Sequence, residues 1–362
     1  MSENQANVAA DRIVGALLGM AVGDALGLPR EGLGPRRARR VFGDRPLRHQ
    51  FVLGRGMVSD DTEHACLTAQ ALTESAGDVD RFARCLARRL RWWLVGLPAG
   101  VGFATLRGIC KLWLGFSPAN SGVPSAGNGP AMRAPVIGLY AGDDPDLLRR
   151  LVRASTRVTH TDERAEQGAL VIARGCYRAM TAPHGEVCWE DLLVDLRGWV
   201  TNDVMLEALD VVGACLAENL PADATAARLG LSRGVTGYIV HTVAMSLYCW
   251  LRNPTSFRDA VEDVILLGGD TDTTGAITGA LAGAALGVEA IPPEWMSGLM
   301  EWPRSWEWMR RLACLLAEQA GRPAGQRTGD RLPLFWPGMV PRNTFFTGIV
   351  LFHGLRRLLP PY

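Results

Sequence analysis

Four glycines spaced four apart, Gly275, Gly279, Gly283 and Gly287, run through a charge-free stretch of Ala, Leu, Ile and Thr. Residues four apart share a helix face. That face has no side chains, and the G-x-x-x-G spacing reads as a helix packed closely against a neighbour inside a buried core. Just ahead of it lies Leu266-Leu267-Gly268-Gly269-Asp270-Thr271-Asp272-Thr273-Thr274. The Gly268-Gly269 pair admits a sharp turn without a Cβ penalty. Asp270 or Asp272 would serve as a helix cap, but a cap needs one such residue. Five consecutive polar residues, Asp270 to Thr274, exceed that need. Carboxylates one residue apart, with hydroxyls between and after them, are oxygen ligands of the kind Mg²⁺ takes. The stretch reads as a metal or phosphate turn at the mouth of a buried helix.

Earlier in the chain, Gly56-Met57-Val58-Ser59-Asp60-Asp61-Thr62-Glu63-His64 opens the periodic run ACLTAQALTES. Asp60 with Glu63 three later matches a capping box. A second carboxylate and two hydroxyls beside it again go beyond capping. Ser59, Asp60 and Asp61 are then a half-site complementary to Asp270, Asp272 and Thr273. Together they offer six oxygen-bearing side chains, four of them carboxylates, suited to one or two Mg²⁺ ions.

A chain of 362 residues forms one large domain or two ordinary ones, and 48% hydrophobic against 21% charged residues supports a sizeable core. The formal net charge of +1 gives no electrostatic reason to expect a nucleic acid or an anionic membrane as partner. Eight cysteines are scattered without a C-x-x-C pair, which argues for reduced thiols in a cytoplasmic protein rather than zinc or disulfides. Residues 1–11 are polar, read as a flexible N-terminus, and lack the order of a signal peptide. No uninterrupted apolar run reaches about 18 residues, so a membrane span is not expected.

In order, residues 12–28 form a small-residue apolar helix interrupted by Asp24, a carboxylate that needs a partner if buried. Pro29 ends it, and Glu31 follows. A lone loop glutamate usually faces solvent; its place after a tight, buried helix keeps it as a candidate. Residues 35–55 are basic and irregular and read as a surface loop. Residues 79–95 carry an amphipathic helix, and 96–127 read as a long Gly-, Pro- and Ser-rich loop broken by a short helix, the kind of loop that often carries function. It leads to Gly127-Asn128-Gly129-Pro130-Ala131-Met132-Arg133, either an ordinary turn or a backbone anion site to which Arg133 adds charge. His160 precedes a further helix as a cap, a surface group or a ligand contact. Tyr238, before another helix, either faces a ligand or packs. The tail is Trp- and Pro-rich with an extended apolar end. Strand signals are few, and the chain reads as a single all-α domain over 12–324, with residues 325–362 packed on it and the functional residues on interhelical loops.

These pieces resemble the ADP-ribosylglycohydrolase family. The resemblance rests on Gly23-Asp24-Ala25-Leu26-Gly27, Ser59-Asp60-Asp61-Thr62, Gly127-Asn128-Gly129 with Met132-Arg133, Thr159-His160, and Gly269-Asp270-Thr271-Asp272-Thr273, in the family's order. It implies an orthogonal helical bundle with a central binuclear cleft holding two Mg²⁺ or Mn²⁺ ions. The implied ligands are Ser59, Asp60, Asp61, Asp270, Asp272 and Thr273. It implies catalytic carboxylates at Glu31, Asp61 and Asp272, a diphosphate loop at Gly127, Asn128, Gly129 and Ala131, and ribose or adenine contacts at His160 and Tyr238. Two positions depart from the family pattern. Ser59 stands where threonine is usual and keeps the hydroxyl. Pro98-Ala99-Gly100-Val101-Gly102 stands where many arginine-directed members carry an Asp-Ile-Gly-like segment. If Gly100 takes that aspartate's place, Glu31 or a metal-bound water must serve as the base.

The implied activity is Mg²⁺-dependent removal of ADP-ribose from modified protein side chains, with arginine the leading linkage. Two alternatives stay open. One is a binding or immunity protein that sequesters an ADP-ribosylated target or an ADP-ribosylating toxin; the other is a hydrolase of a free ADP-ribosyl small molecule.

Overall fold

The computed structural model describes residues 3–183 and 186–360. Among them are 17 α-helices, five 3₁₀ turns and no strand, so the all-α expectation holds. The first helix, Glu3–Gly27, lies antiparallel against Thr271–Leu286, and the contact is made by glycines on both sides. A Cβ placed on Gly15, Gly19 or Gly23 would fall 2.6, 2.4 or 2.0 Å from the carbonyl oxygen of Gly283, Gly279 or Gly275. One on Gly27 would fall 2.1 Å from that of Thr271. Backbone therefore packs on backbone, and no larger residue fits. The antiparallel pairing puts the C-terminal end of one helix, with Asp24, beside the start of the other, with Asp270 and Asp272.

The stretch Asn7–Arg30, with mean hydropathy 1.3, is long and apolar enough to cross a bilayer by composition, yet its apolar window is wholly buried inside the fold. Around this pair stand Asp60–Ser75, buried at every residue from Asp61 on, together with Ala134–Ala141, Glu163–Thr181, Ile239–Arg252, Phe257–Leu266 and Trp306–Ala320. One continuous buried cluster runs from Ile13 to Leu316.

Four local expectations change. The first helix already begins at Glu3, ahead of the apolar pattern from Arg12. Residues 35–42 form a helix, Pro35–Phe42, rather than an irregular loop. Proline at its first turn is pre-set for helix, and Ala38 and Phe42, four apart, are its buried side beneath the arginines. The tail is not extended: Met339–Arg356 is a helix, tied down by Arg342 Nη2 donating to the Val58 carbonyl (2.6 Å) and Asn343 Nδ2 to that of Gly96 (2.7 Å). The cap of Asp60–Ser75 is Ser59, whose Oγ accepts from the Asp61 N–H, and not Asp60.

Candidate active site

With no strand among the described residues, short backbone bridges between interhelical loops assemble one cleft. The Gly269 N–H donates to the Leu33 carbonyl (2.8 Å) and the Gly32 N–H to that of Gly269 (2.7 Å), tying the Glu31 loop to the Asp270 loop. On the other side, the Asp270 N–H donates to the Val235 carbonyl (2.8 Å) and the Val235 N–H to that of Gly268 (2.9 Å). Gly127 is bridged to Tyr238, and Val123 to His160. Gly269 has φ +85°, and a Cβ there would sit 2.0 Å from the Val235 oxygen. Glycine is required at this point by both conformation and space.

The two acidic half-sites meet. Asp61 Oδ2 accepts from the hydroxyls of both Ser59 and Thr273, each at 3.1 Å. Asp24, fully buried, accepts from the Ser59 N–H (3.0 Å), the Thr62 N–H (3.1 Å) and Thr62 Oγ1 (2.5 Å). It locks the start of Asp60–Ser75 onto the first helix and so aims Asp60 and Asp61. Asp270 precedes its helix without a side-chain cap bond; its Oδ2 accepts instead from Asn128 Nδ2 (2.6 Å). Asp61 Oδ1 and Asp272 Oδ1 are buried with no hydrogen-bond partner among the described residues. Buried carboxylate oxygens are seldom left so.

Like charges and burial act together here. Asp60, Asp61 and Asp272 are each held well above the ordinary carboxylate range, first by loss of solvent and then by neighbouring carboxylates. Asp24 is pushed up to about 7, chiefly by burial. The Glu31 carboxyl, which lines the cleft, is raised by burial and by Asp270, against the pull of Arg357. His160 is driven down to about 3 by burial and by Arg133, so its ring is neutral. A cluster that resists carrying its full negative charge is one that a bound cation would relieve. No three Asp, Glu, His or Cys side chains among the described residues stand as a ready-made cation cage.

The cleft encloses about 310 Å³ and is lined by Glu31, Asp60, Asp61, Asp270, Asp272 and Thr273 on one side and by Gly127, Asn128, Gly129 and His160 on another. Ser59 and Ala131 are buried and do not line it. The Gly127, Asn128 and Ala131 N–H groups already donate to Ser125 Oγ, the Gly237 carbonyl and the Asn128 carbonyl. Gly127 and Gly129 are glycines because a Cβ on either would crowd the His160 ring, at 3.2 and 3.0 Å. Arg133 does not add charge to an anion site: it is fully buried and donates to Thr159 Oγ1 (2.7 Å), which in turn holds His160 Nδ1 (2.8 Å). The Tyr238 side chain lies outside the lining, with its hydroxyl accepting from Arg164 and its ring edge-on to His241.

Phe103 and Thr105, which the sequence did not single out, complete the lining beside Gly100. Phe103 is 73% exposed and stands at the start of the Phe103–Trp113 helix. An aromatic residue opening a helix out of a Gly-rich loop was the available signal. Gly100, at φ +77° and with open space where a Cβ would be, presents no functional group to the cleft.

Residues 5–325 match the family described as ADP-ribosylglycohydrolase. The chain is 29% identical over 297 residues to the ADP-ribosyl-[dinitrogen reductase] glycohydrolase of Rhodospirillum rubrum, covering 80% of this chain and 90% of that one. It is 28% identical to the ADP-ribosylarginine hydrolase Tri1 of Pseudomonas putida, covering 80% of this chain and 74% of that one. A solved structure titled ADP-ribosylglycohydrolase-related protein complex superposes with a TM-score of 0.63 at 29% identity, covering 87% of this chain and 99% of that one. With a match of this extent over the helices and loops that build the cleft, the chain belongs to the ADP-ribosylglycohydrolase family.

Proposed function

We propose that this protein is a metal-dependent hydrolase that removes ADP-ribose from modified protein side chains, with ADP-ribosyl-arginine its leading substrate. The observation that carries the metal requirement is the pair of buried, partnerless oxygens, Asp61 Oδ1 and Asp272 Oδ1, within a cluster of raised carboxylates. The donor set is all oxygen, which fits Mg²⁺ or Mn²⁺ and disfavours softer metals. Ser59, Asp60, Asp61, Asp270, Asp272 and Thr273 would hold two such ions. When bound, they supply Lewis-acid polarisation and a template for the ribose hydroxyls.

The chain's own residues do the rest. Glycosidic cleavage at ribose builds oxocarbenium-like positive charge, which carboxylates lining the cleft, Asp61 and Asp272 among them, would stabilise. Glu31, with its raised carboxyl at the cleft wall, is suited to hold and transfer the proton. With Gly100 contributing no side chain, that task falls to Glu31. Asn128 orients Asp270, and neutral His160 closes the floor beneath Gly127 and Gly129. The named activities of the Rhodospirillum rubrum and Pseudomonas putida relatives support the substrate class. All eight cysteines are free, which supports a cytoplasmic setting.

The test is release of free ADP-ribose from arginine-ADP-ribosylated protein with Mg²⁺, beside the Asp270→Ala variant and excess EDTA. Release by the untreated wild type alone is expected. Full activity in EDTA would remove the metal, and retention of the modified protein without release would shift the reading to a binding or immunity protein.

A further inference from the structure

A second cavity, of about 510 Å³, lies behind the Asp60–Ser75 helix, away from the carboxylate cleft. Its inner walls come from Asp60–Ser75 and Val79–Val95. Its outer wall is Arg331, Leu332, Leu334, Trp336 and Met339, which lie beyond the family-matched residues 5–325. The cavity therefore belongs to this chain's own C-terminal segment as much as to the family fold. Its size is that of a small-molecule site, roughly 300–1,000 Å³.

Its chemistry is uneven. Arg88 and Arg89 donate to Glu74 at 2.7 and 2.8 Å, and Arg331 pairs with the same carboxylate. Three guanidiniums on one carboxylate leave two positive charges uncompensated, since none of the three has a second acidic partner among the described residues. Arg304 Nε, Arg89 Nε and Gln70 Oε1 all belong to lining residues and are buried with no hydrogen-bond partner among the described residues. Gln70 and Arg304 are each only 3% exposed. Buried groups of this kind are normally satisfied by something. The aromatic component comes from Trp92, 51% exposed, and Trp336, edge-on to it at 5.7 Å, with Trp93 behind them.

From this combination we infer that the cavity is a second binding site, for a small aromatic acid carrying a hydrogen-bond donor. The acid group would meet the guanidiniums of Arg88, Arg89 and Arg331, which carry two charges more than Glu74 compensates, the donor would meet Gln70 Oε1, and the ring would lie against Trp92 and Trp336. Inorganic anions supply one of the three features and bind more weakly.

The experiment is calorimetric titration of the full chain with 4-hydroxyphenylacetate, and with acetate as the anion alone. Saturable binding of the aromatic acid at millimolar concentration or below is expected, with acetate much weaker. Arg331→Ala and Trp336→Ala, each checked by circular dichroism for an intact fold, should weaken it by at least about tenfold, the order expected for one charged hydrogen bond or ring contact. Asp270→Ala, in the other cleft, should leave it unchanged. No saturable binding by the wild type, binding by both cavity variants as tight as wild type, or loss in Asp270→Ala with Arg331→Ala unaffected would each overturn the assignment.

Discussion

Replacing Gly279 by alanine tests whether the glycine contact sets the geometry of the cleft. The new Cβ would lie 2.2 Å from the carbonyl oxygen of Gly19, more than 1 Å short of ordinary contact, and 2.8 Å from its carbon. Neither atom belongs to a side chain that can rotate away, so the helices must separate. Overpacking a well-packed core costs about 1–3 kcal/mol, and a backbone clash belongs at the upper end. Alanine's better helix propensity returns ~1 kcal/mol, leaving about 2 kcal/mol of destabilisation. With an unfolding entropy of roughly 2.1 cal/mol/K per residue, that lowers the melting temperature of this 362-residue chain by about 2–3 °C. Gly348→Ala, on an exposed turn of the Met339–Arg356 helix with nothing within 4 Å, is the control and should be neutral or slightly stabilising. Melting temperature and ADP-ribose release are the assays. Activity should fall further than stability explains, because the displaced helices carry Asp24 at one end and Asp270 and Asp272 at the other. A Gly279→Ala protein as stable and as active as wild type would refute the reasoning.

The other predictions concern the carboxylates. Asp24, Asp60, Asp61 and Asp272 have folded-state values above the unfolded one of about 3.9. The folded protein therefore binds more protons than the unfolded chain, and metal-free stability should fall as pH rises from about 4 toward 7. Urea titrations at several pH values should show this, with Mg²⁺ reversing the loss at neutral pH; a flat metal-free profile would contradict it. Asp272→Asn should raise metal-free stability while abolishing both the Mg²⁺-induced stabilisation and turnover. Glu31→Gln should slow turnover by at least about a hundredfold, measured as initial rate at saturating substrate, and an unchanged rate would dismiss Glu31 as the proton-transfer group.

Local pattern made much of this molecule legible. The helix periods placed Val79–Val95 at its observed bounds and the end of the first helix within one residue, because an amphipathic or small-residue helix is encoded by neighbours three and four apart. The excess of acids over capping need at Asp60-Asp61 and Asp270-x-Asp272 pointed to the two half-sites, and both line the one cleft. Two short segments were misread for local reasons. Pro35–Phe42 carries four arginines and only two buried anchors, Ala38 and Phe42, and its basic content masked the helix. The apolar tail has Pro341 within its first turn, a residue that reads as a break in sequence and is tolerated there in the fold.

The sequence by itself determined that the chain is helical, that it carries two oxygen-rich half-sites, and that one helix has a bare glycine face. All of these are statements about residues close together in the chain. Only the tertiary structure decided that the partner of that face is the first helix, that Asp24 holds the backbone of the Ser59-Asp60-Asp61 half-site, and that Asn128 grips Asp270. It likewise decided that Arg133 serves His160 rather than a ligand. These are pairings between segments tens to hundreds of residues apart, and they are set by which surfaces can be buried together. No local spacing encodes that choice.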